Sequence, residues 1–343
     1  DHLSTLAADH PARVAALDLG RAWRARDAAA VNDAARIIAA ELPKIHPTVY
    51  PGSRRDLELA YNRSKPFEWG YWMYFVSLLA LILAFGTERR WLIVTGVVFL
   101  FAALGLHAFG FGARCIIAER FAIQNQYESM TGVSLFAVLL ASVLMLVRRQ
   151  WLFGAAAAAV GFMILITATQ TGIPGSSIER EAAILNTSVL LKYHVTTVLV
   201  SYGLIALGFV ISLFYLLAHF LQRNAPQDVD AIASAALGTG TRTLRDLDRA
   251  QMTVLQLAFW TLGVGILLGA WWADHSWGRW WAFDPKETWA LATWIIYLIV
   301  IHVRFGAKNR GLTTAWLSIV GFVVMLWTYF GVNLLLPGLH AYA

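Results

Sequence analysis

Trp271, Trp272, Trp277, Trp280, Trp281, Phe283 and Trp289 fall within 19 residues. Trp and Tyr gather at membrane interfaces, which accounts for much of the total of 15 Trp. Interface belts, however, are spread over helix ends rather than concentrated in one stretch. Here the aromatic faces make a broad, flat, apolar surface, and Arg279 and Lys286 set cations beside it. That combination suits a planar, amphipathic, anionic ligand. The same stretch also has a structural reading. Asp284-Pro285-Lys286-Glu287 is a helix start, with Asp at the N-cap, Pro at the first helical position and Glu at N3, so both acids can serve the cap.

The elements that must hold this stretch are apolar. Of 343 residues, 58% are hydrophobic and 14% charged, and mean hydropathy is +0.59. A soluble domain carries about a quarter charged residues, so the solvent around much of this chain is lipid. Eight runs are long enough to cross a hydrocarbon core of about 30 Å: roughly 67–86, 91–111, 131–147, 151–169, 194–221, 252–273, 286–305 and 312–336. The reading is an all-α polytopic bundle of about eight transmembrane helices, 67–343, preceded by a small helical soluble segment, 1–66, with an amphipathic pattern at Ala28–Leu42. Arg148, Arg149 and Gln150 separate two runs as a tight hairpin.

Alternate connections differ in basic residues. One side carries Arg89, Arg90, Arg148, Arg149, Arg223, Arg242, Arg245, Arg249, Arg304, Lys308 and Arg310; the other carries Arg114, Arg120, Arg180, Lys192, Arg279 and Lys286. The richer side is expected to be cytoplasmic, which puts the Trp-rich stretch, segment 1–66 and both termini outside. The net charge of +6 therefore reports orientation rather than a nucleic-acid partner. With Cys115 alone, the chain can build neither an internal disulfide nor a C-x-x-C pair. No signal peptide precedes the first apolar run, so the chain is expected to be processed or excised from a longer polypeptide. No phosphate loop, hydrolase order or metalloprotease spacing occurs.

Haem meets the description of the ligand. Its ring stacks on aromatic faces, its propionates pair with Arg or Lys, and two neutral imidazoles hold its iron six-coordinate. His194 begins the fifth apolar run and His340 follows the eighth, both on the side of the Trp-rich stretch. A lone His at a membrane surface is otherwise an interfacial, hydrogen-bonded residue. His302 lies about 25 Å along the helix that starts at Pro285. An ionisable group at that depth is a functional candidate or a snorkelling residue beside Arg304. His219 sits at a similar depth; His107 reads as hydrogen-bonded within the bundle; His275 adjoins Asp274 in the aromatic stretch. His2, His10 and His46 have no supporting context.

The stretch from Trp277 to Leu291 resembles the tryptophan-rich motif of the cytochrome c assembly family, most closely its CcsA/ResC, or System II, type. Gln124-Asn125-Gln126-Tyr127-Glu128-Ser129 is similar to the family's Asn-x-Tyr-Glu-Ser segment, and Lys192-Tyr193-His194-Val195 to its external-histidine segment. Ile301-His302-Val303-Arg304 and Asn333 through His340 match in type and order. The similarity covers about residues 60–343. Phe283 stands where the family usually has Trp, which keeps a stacking face and loses an indole N–H.

The resemblance implies a haem-handling protein of the bacterial cytoplasmic membrane that presents haem b outside for thioether attachment to the C-x-x-C-H motif of an apocytochrome c. On that reading Trp277, Trp280, Trp281, Phe283 and Trp289, with Asp284 and Glu287, form the platform. His194 and His340 are the axial ligands, Arg279 and Lys286 neutralise the propionates, and His302 serves a second, intramembrane haem. Implied partners are the apocytochrome, a CcsB/ResB-like subunit or fused portion and a thiol-reducing thioredoxin-like protein. The alternatives are a haem exporter or chaperone without synthase activity, of System I type, and a non-haem transporter. The latter needs a polar midplane site on broken helices, whereas the mid-helix stretches here carry mainly Ser, Thr and Gly.

Overall fold

In a hydrocarbon solvent an apolar run must satisfy its backbone polar groups internally, which leaves it the helix. The computed structural model describes residues 6–45, 52–87, 89–178, 188–223 and 239–338, and among these every regular element is helical. The chain divides into two compact units, Asp1–Lys65 and Pro66–Ala343.

The first unit contains α1 (Pro11–Ala25), α2 (Ala28–Ile45) and α3 (Gly52–Ser64). Arg26 turns the chain in the left-handed region, and the Asp27 carboxylate accepts from the N–H groups of Ala29 and Ala30 to cap α2. α1 and α2 pack through buried Ala12, Ala15, Ala22 and Ala34, small side chains that let the two backbones approach. Arg55 of α3 donates to the Ala39 carbonyl of α2 at 2.6 Å.

The second unit holds α4 (Pro66–Thr87), α5 (Arg90–Ala118), α6 (Gln126–Arg148), α7 (Trp151–Gln170), α8 (Val189–Arg223), α9 (Thr239–Trp277), α10 (Pro285–Gly306) and α11 (Arg310–Leu326). A π-helical turn, Trp327–Gly331, continues α11 into the short α12 (Val332–Leu335). Eight helices among the described residues are long and apolar enough to span a membrane. The protein is therefore a multi-pass helical membrane protein. α4–α7 and α8–α11 form two groups, which meet where α6 and α7 pack on α8.

Small residues set the crossings, as expected where lipid supplies no hydrophobic drive between helices. A Cβ at Gly203 of α8 would lie 2.9 Å from the Val133 carbonyl of α6. α8 and α9 have 35 and 39 residues, about 52 and 58 Å at 1.5 Å per residue. They pair antiparallel, with Gly265 against Val198 and Gly208 against Leu255. α5 and α6 extend past the apolar runs 91–111 and 131–147 because the charges in their extensions, Arg114 and Glu128, neutralise each other in the interior. The hairpin between α6 and α7 turns at Arg149, whose φ is 51°. At the end of α10 far from its Asp284 cap, Arg304 makes a bidentate pair with Asp248 of α9, both bonds at 2.6 Å, and reaches Thr314 of α11.

Candidate functional site

The site begins with a helix cap. The Asn125 side chain accepts from the Glu128 N–H at 2.8 Å, which starts α6 and fixes Glu128 in its first turn. Arg120 donates to both Glu128 oxygens, at 2.6 and 3.2 Å, and Arg114 donates to Oε1 at 3.2 Å. Arg114 and Glu128 are fully buried and Arg120 nearly so. Among the described residues Arg114 also donates to carbonyl oxygens, to Ser176 at 2.7 Å and to Gly175 at 3.0 Å, and lies 4.9 Å over the Tyr127 ring. The loop after α7 is thereby held against the start of α6. Gly175, at φ 94°, is pressed so close to the Asn125 amide that a Cβ would collide with it, so both backbone shape and space require glycine.

Beside this cluster lies a cavity of about 530 Å³, inside the roughly 300–1,000 Å³ range of small-molecule sites. Its walls come from segments far apart in sequence: Gln124, Asn125 and Ser129 at the start of α6; Gly175 and Ser177 of the loop; Lys192, His194 and Tyr202 of α8; Gly269 of α9; Trp281, Lys286 and Glu287 at the start of α10; Tyr329 and Asn333 beyond α11. Below it pack Phe111, Ala122, Ile123, Val133 and Leu199. His194 Nδ1 lies 2.7 Å from the Gly265 carbonyl. A carbonyl only accepts, so Nδ1 carries the proton and the neutral tautomer has its ligand lone pair on Nε2. Gly269 makes room for the ring, since a Cβ there would lie 2.5 Å from Cε1.

The Trp-rich stretch divides by environment. Trp281 lines the cavity. Trp277 packs edge-on against buried Trp272 at 4.9 Å, and Trp289 against Trp327 at 5.8 Å. Trp280 and Phe283 stand outward, 56% and 80% exposed. Phe283 holds φ 54°, a conformation unfavourable for a bulky residue. Asp284 and Glu287 form a capping box: the Asp284 carboxylate accepts from the Lys286 N–H, and Glu287 Oε2 accepts from the N–H groups of Ala282 and Asp284. Gly338 approaches the same carboxylate so closely that a Cβ would fall 2.6 Å from Oδ1. Lys286 joins the cavity wall, whereas Arg279 is exposed and lies outside it.

The other histidines are elsewhere. His107 is fully buried: Nε2 donates to the Thr131 carbonyl at 2.9 Å and Nδ1 accepts from the Tyr74 hydroxyl at 3.3 Å. His302 faces outward from α10 with Nδ1 on the Leu298 carbonyl at 2.8 Å. His219 stacks on Tyr215, and His275 is exposed with Nδ1 on the Trp271 carbonyl. His340 lies outside the described residues, as do His2, His46 and Arg180. Sequence reasoning did not single out Tyr329 or Tyr202 for the site. Tyr329 bonds the Ser129 hydroxyl at 2.5 Å and meets Tyr202 edge-to-face at 6.0 Å. The π turn that aims Tyr329 has no local sequence mark.

A polytopic helical bundle whose cavity at one end is lined by His194, Lys192, Lys286 and Trp281 defines the class. The family described as "Cytochrome C assembly protein" matches residues 69–340, and the chain belongs to that family. It is 32% identical over 301 residues to "Cytochrome c biogenesis protein CcsA" of Parasynechococcus marenigrum (strain WH8102), covering 80% of this chain and 94% of that one. The protein of the same description from Guillardia theta is 30% identical over 67% of this chain and 79% of its own length. That of Chlamydomonas reinhardtii is 36% identical over 44% of this chain and 40% of its own. Among solved structures, "Cytochrome c Heme Lyase CcmF" aligns with a TM-score of 0.52 at 14% identity, covering 77% of this chain and 45% of that one. This last likeness is one of fold.

Proposed function

We propose that the chain, serving cytochrome c biogenesis as a member of its family, binds haem b in the 530 Å³ cavity and presents it to an apocytochrome c. The observation that carries this reading is the convergence of His194, Lys192, Lys286 and Trp281 on one cavity. The residues fit the group: an oriented imidazole for iron, two ammonium groups for propionates and an indole face for the ring. His194 is one axial ligand. His340 is proposed as the other, and the approach of Gly338 to Asp284 supports a terminal segment that serves this end of the bundle. Phe283 and Trp280 form an exposed apolar surface for the incoming polypeptide.

The haem vinyl groups accept the substrate's C-x-x-C-H thiols, and the chain contributes binding, orientation and water exclusion rather than a nucleophile. Cys115 takes no part. The reading includes the bacterial cytoplasmic membrane, the cavity end and residues 1–66 outside, a CcsB/ResB-like partner, a thioredoxin-like reductant for the substrate thiols, and His302 as an outward-facing ligand toward a second haem. The test is an oxidised and reduced visible spectrum of detergent-purified protein beside His194→Ala and His340→Ala. A six-coordinate b-type spectrum that is lost or becomes five-coordinate in both variants is expected. An unchanged spectrum in either removes that residue from the pair. Co-expression with an apocytochrome separates synthase from exporter: only the former yields thioether-linked product.

A further inference from the structure

Next to the His194 cavity is a second cavity of about 200 Å³, walled by α6, α7, α8 and α11. Tyr202 and Tyr329 line both, so the edge-to-face contact of their rings, 6.0 Å apart at 89°, is the partition between the two spaces. The walls of the smaller space are apolar, with Phe209 and Phe322 stacked at 4.0 Å. Its threonine, Thr167, already spends its hydroxyl on the Met163 carbonyl at 2.7 Å. Met163, at the mouth on α7, is 40% exposed, and all four helices lie in membrane-spanning segments, so the mouth faces acyl chains. α7 packs on α4, α6 and α8, and α11 packs on α8 and α10. The space between α7 and α11 is therefore a lateral cleft floored by α6 and α8.

We infer that this cleft is a lateral portal through which haem dissolved in the bilayer reaches the His194 cavity, past Tyr202 and Tyr329. The inference rests on the haem reading above. Its volume supports a portal rather than a resting site, since cavities that enclose a drug-sized ligand run to roughly 300–1,000 Å³. The occupant is fixed by continuity: the cleft opens to lipid on one side and adjoins a cavity with cations and an imidazole on the other. A polar solute has no reason to cross that apolar space, and a lipid chain has no use for the far end. The Ser129–Tyr329 hydrogen bond holds the partition closed, and the π turn that carries Tyr329 is of a kind found often at functional sites.

The experiment reconstitutes the full apoprotein in phosphatidylcholine vesicles, lets added haem partition into the lipid, and follows the rise of the histidine-ligated absorption. Ala206→Trp fills the cleft, where Ala206 lines the wall. Met163→Trp adds bulk at the lipid-facing mouth, so it leaves the fold intact even where the first variant does not fold. Each variant is expected to slow uptake about tenfold, the effect of about 1.4 kcal/mol on a barrier, while reaching the wild-type final spectrum. Wild-type rates in a folded variant of both kinds, or in Met163→Trp alone if Ala206→Trp fails to fold, overturn the portal. A wild-type protein that never develops a ligated spectrum overturns the haem reading, and the portal with it.

Discussion

On one side of the cavity Arg114, Arg120 and Glu128 are buried and bonded to one another and to the loop after α7. On the other, Trp280 and Phe283, next to Trp281, are exposed. Both regions match the same family pattern, yet they are built by opposite means. The buried cluster holds helix ends and a loop in fixed register, because pulling its charges apart in an apolar interior is costly. The exposed aromatics contribute little to the fold, and exposed apolar side chains of this size suit contact with another molecule. Position and display are thus separated within one site.

Removing the carboxylate tests that contrast most severely. Glu128→Gln removes the buried carboxylate that both guanidiniums share, and a loss of about 3–5 kcal/mol is expected, read as a lowered thermal midpoint in detergent. A wild-type midpoint would place the cluster on the display side. His194→Ala is expected to abolish or convert the six-coordinate spectrum while the thermal midpoint of the ligand-free protein changes far less. If Lys286 pairs with a propionate as proposed, Lys286→Gln weakens haem binding by about 1.5–3 kcal/mol in a haem titration. Equal affinity would move the propionates elsewhere in the cavity. Phe283→Gly relieves a left-handed backbone and raises stability by about 1 kcal/mol, yet it should reduce thioether product. Arg279→Ala, outside the cavity and exposed, is expected to change stability by no more than about 0.5 kcal/mol.

Features that depend on near neighbours along the chain are legible in the sequence itself. The Asp284-Pro285-Lys286-Glu287 cap forms as read, because a capping box needs only groups three residues apart. The eight spans follow from apolar length, and α2 begins at Ala28 where the amphipathic pattern starts. The ends of α5 and α6 are not legible there. Charged residues normally mark where a span leaves the membrane, whereas Arg114 and Glu128 continue their helices by pairing across two of them. The Trp-rich stretch reads as one surface, and its residues instead divide between cavity wall, packing and exposure, since side-chain direction in an irregular turn depends on what the turn packs against.

The sequence by itself determined an all-helical membrane chain, its family and the local helix cap at Asp284. Those follow from composition and local spacing, which need no partner to act. Only the tertiary structure decided that Lys192 rather than Arg279 joins Lys286 at the cavity, and that Gly265 orients His194. It alone set Tyr202 and Tyr329 between the His194 cavity and the apolar cleft. Each of these depends on which helices cross and at what register, and that is fixed by packing between distant segments, where a single glycine sets how closely two backbones approach.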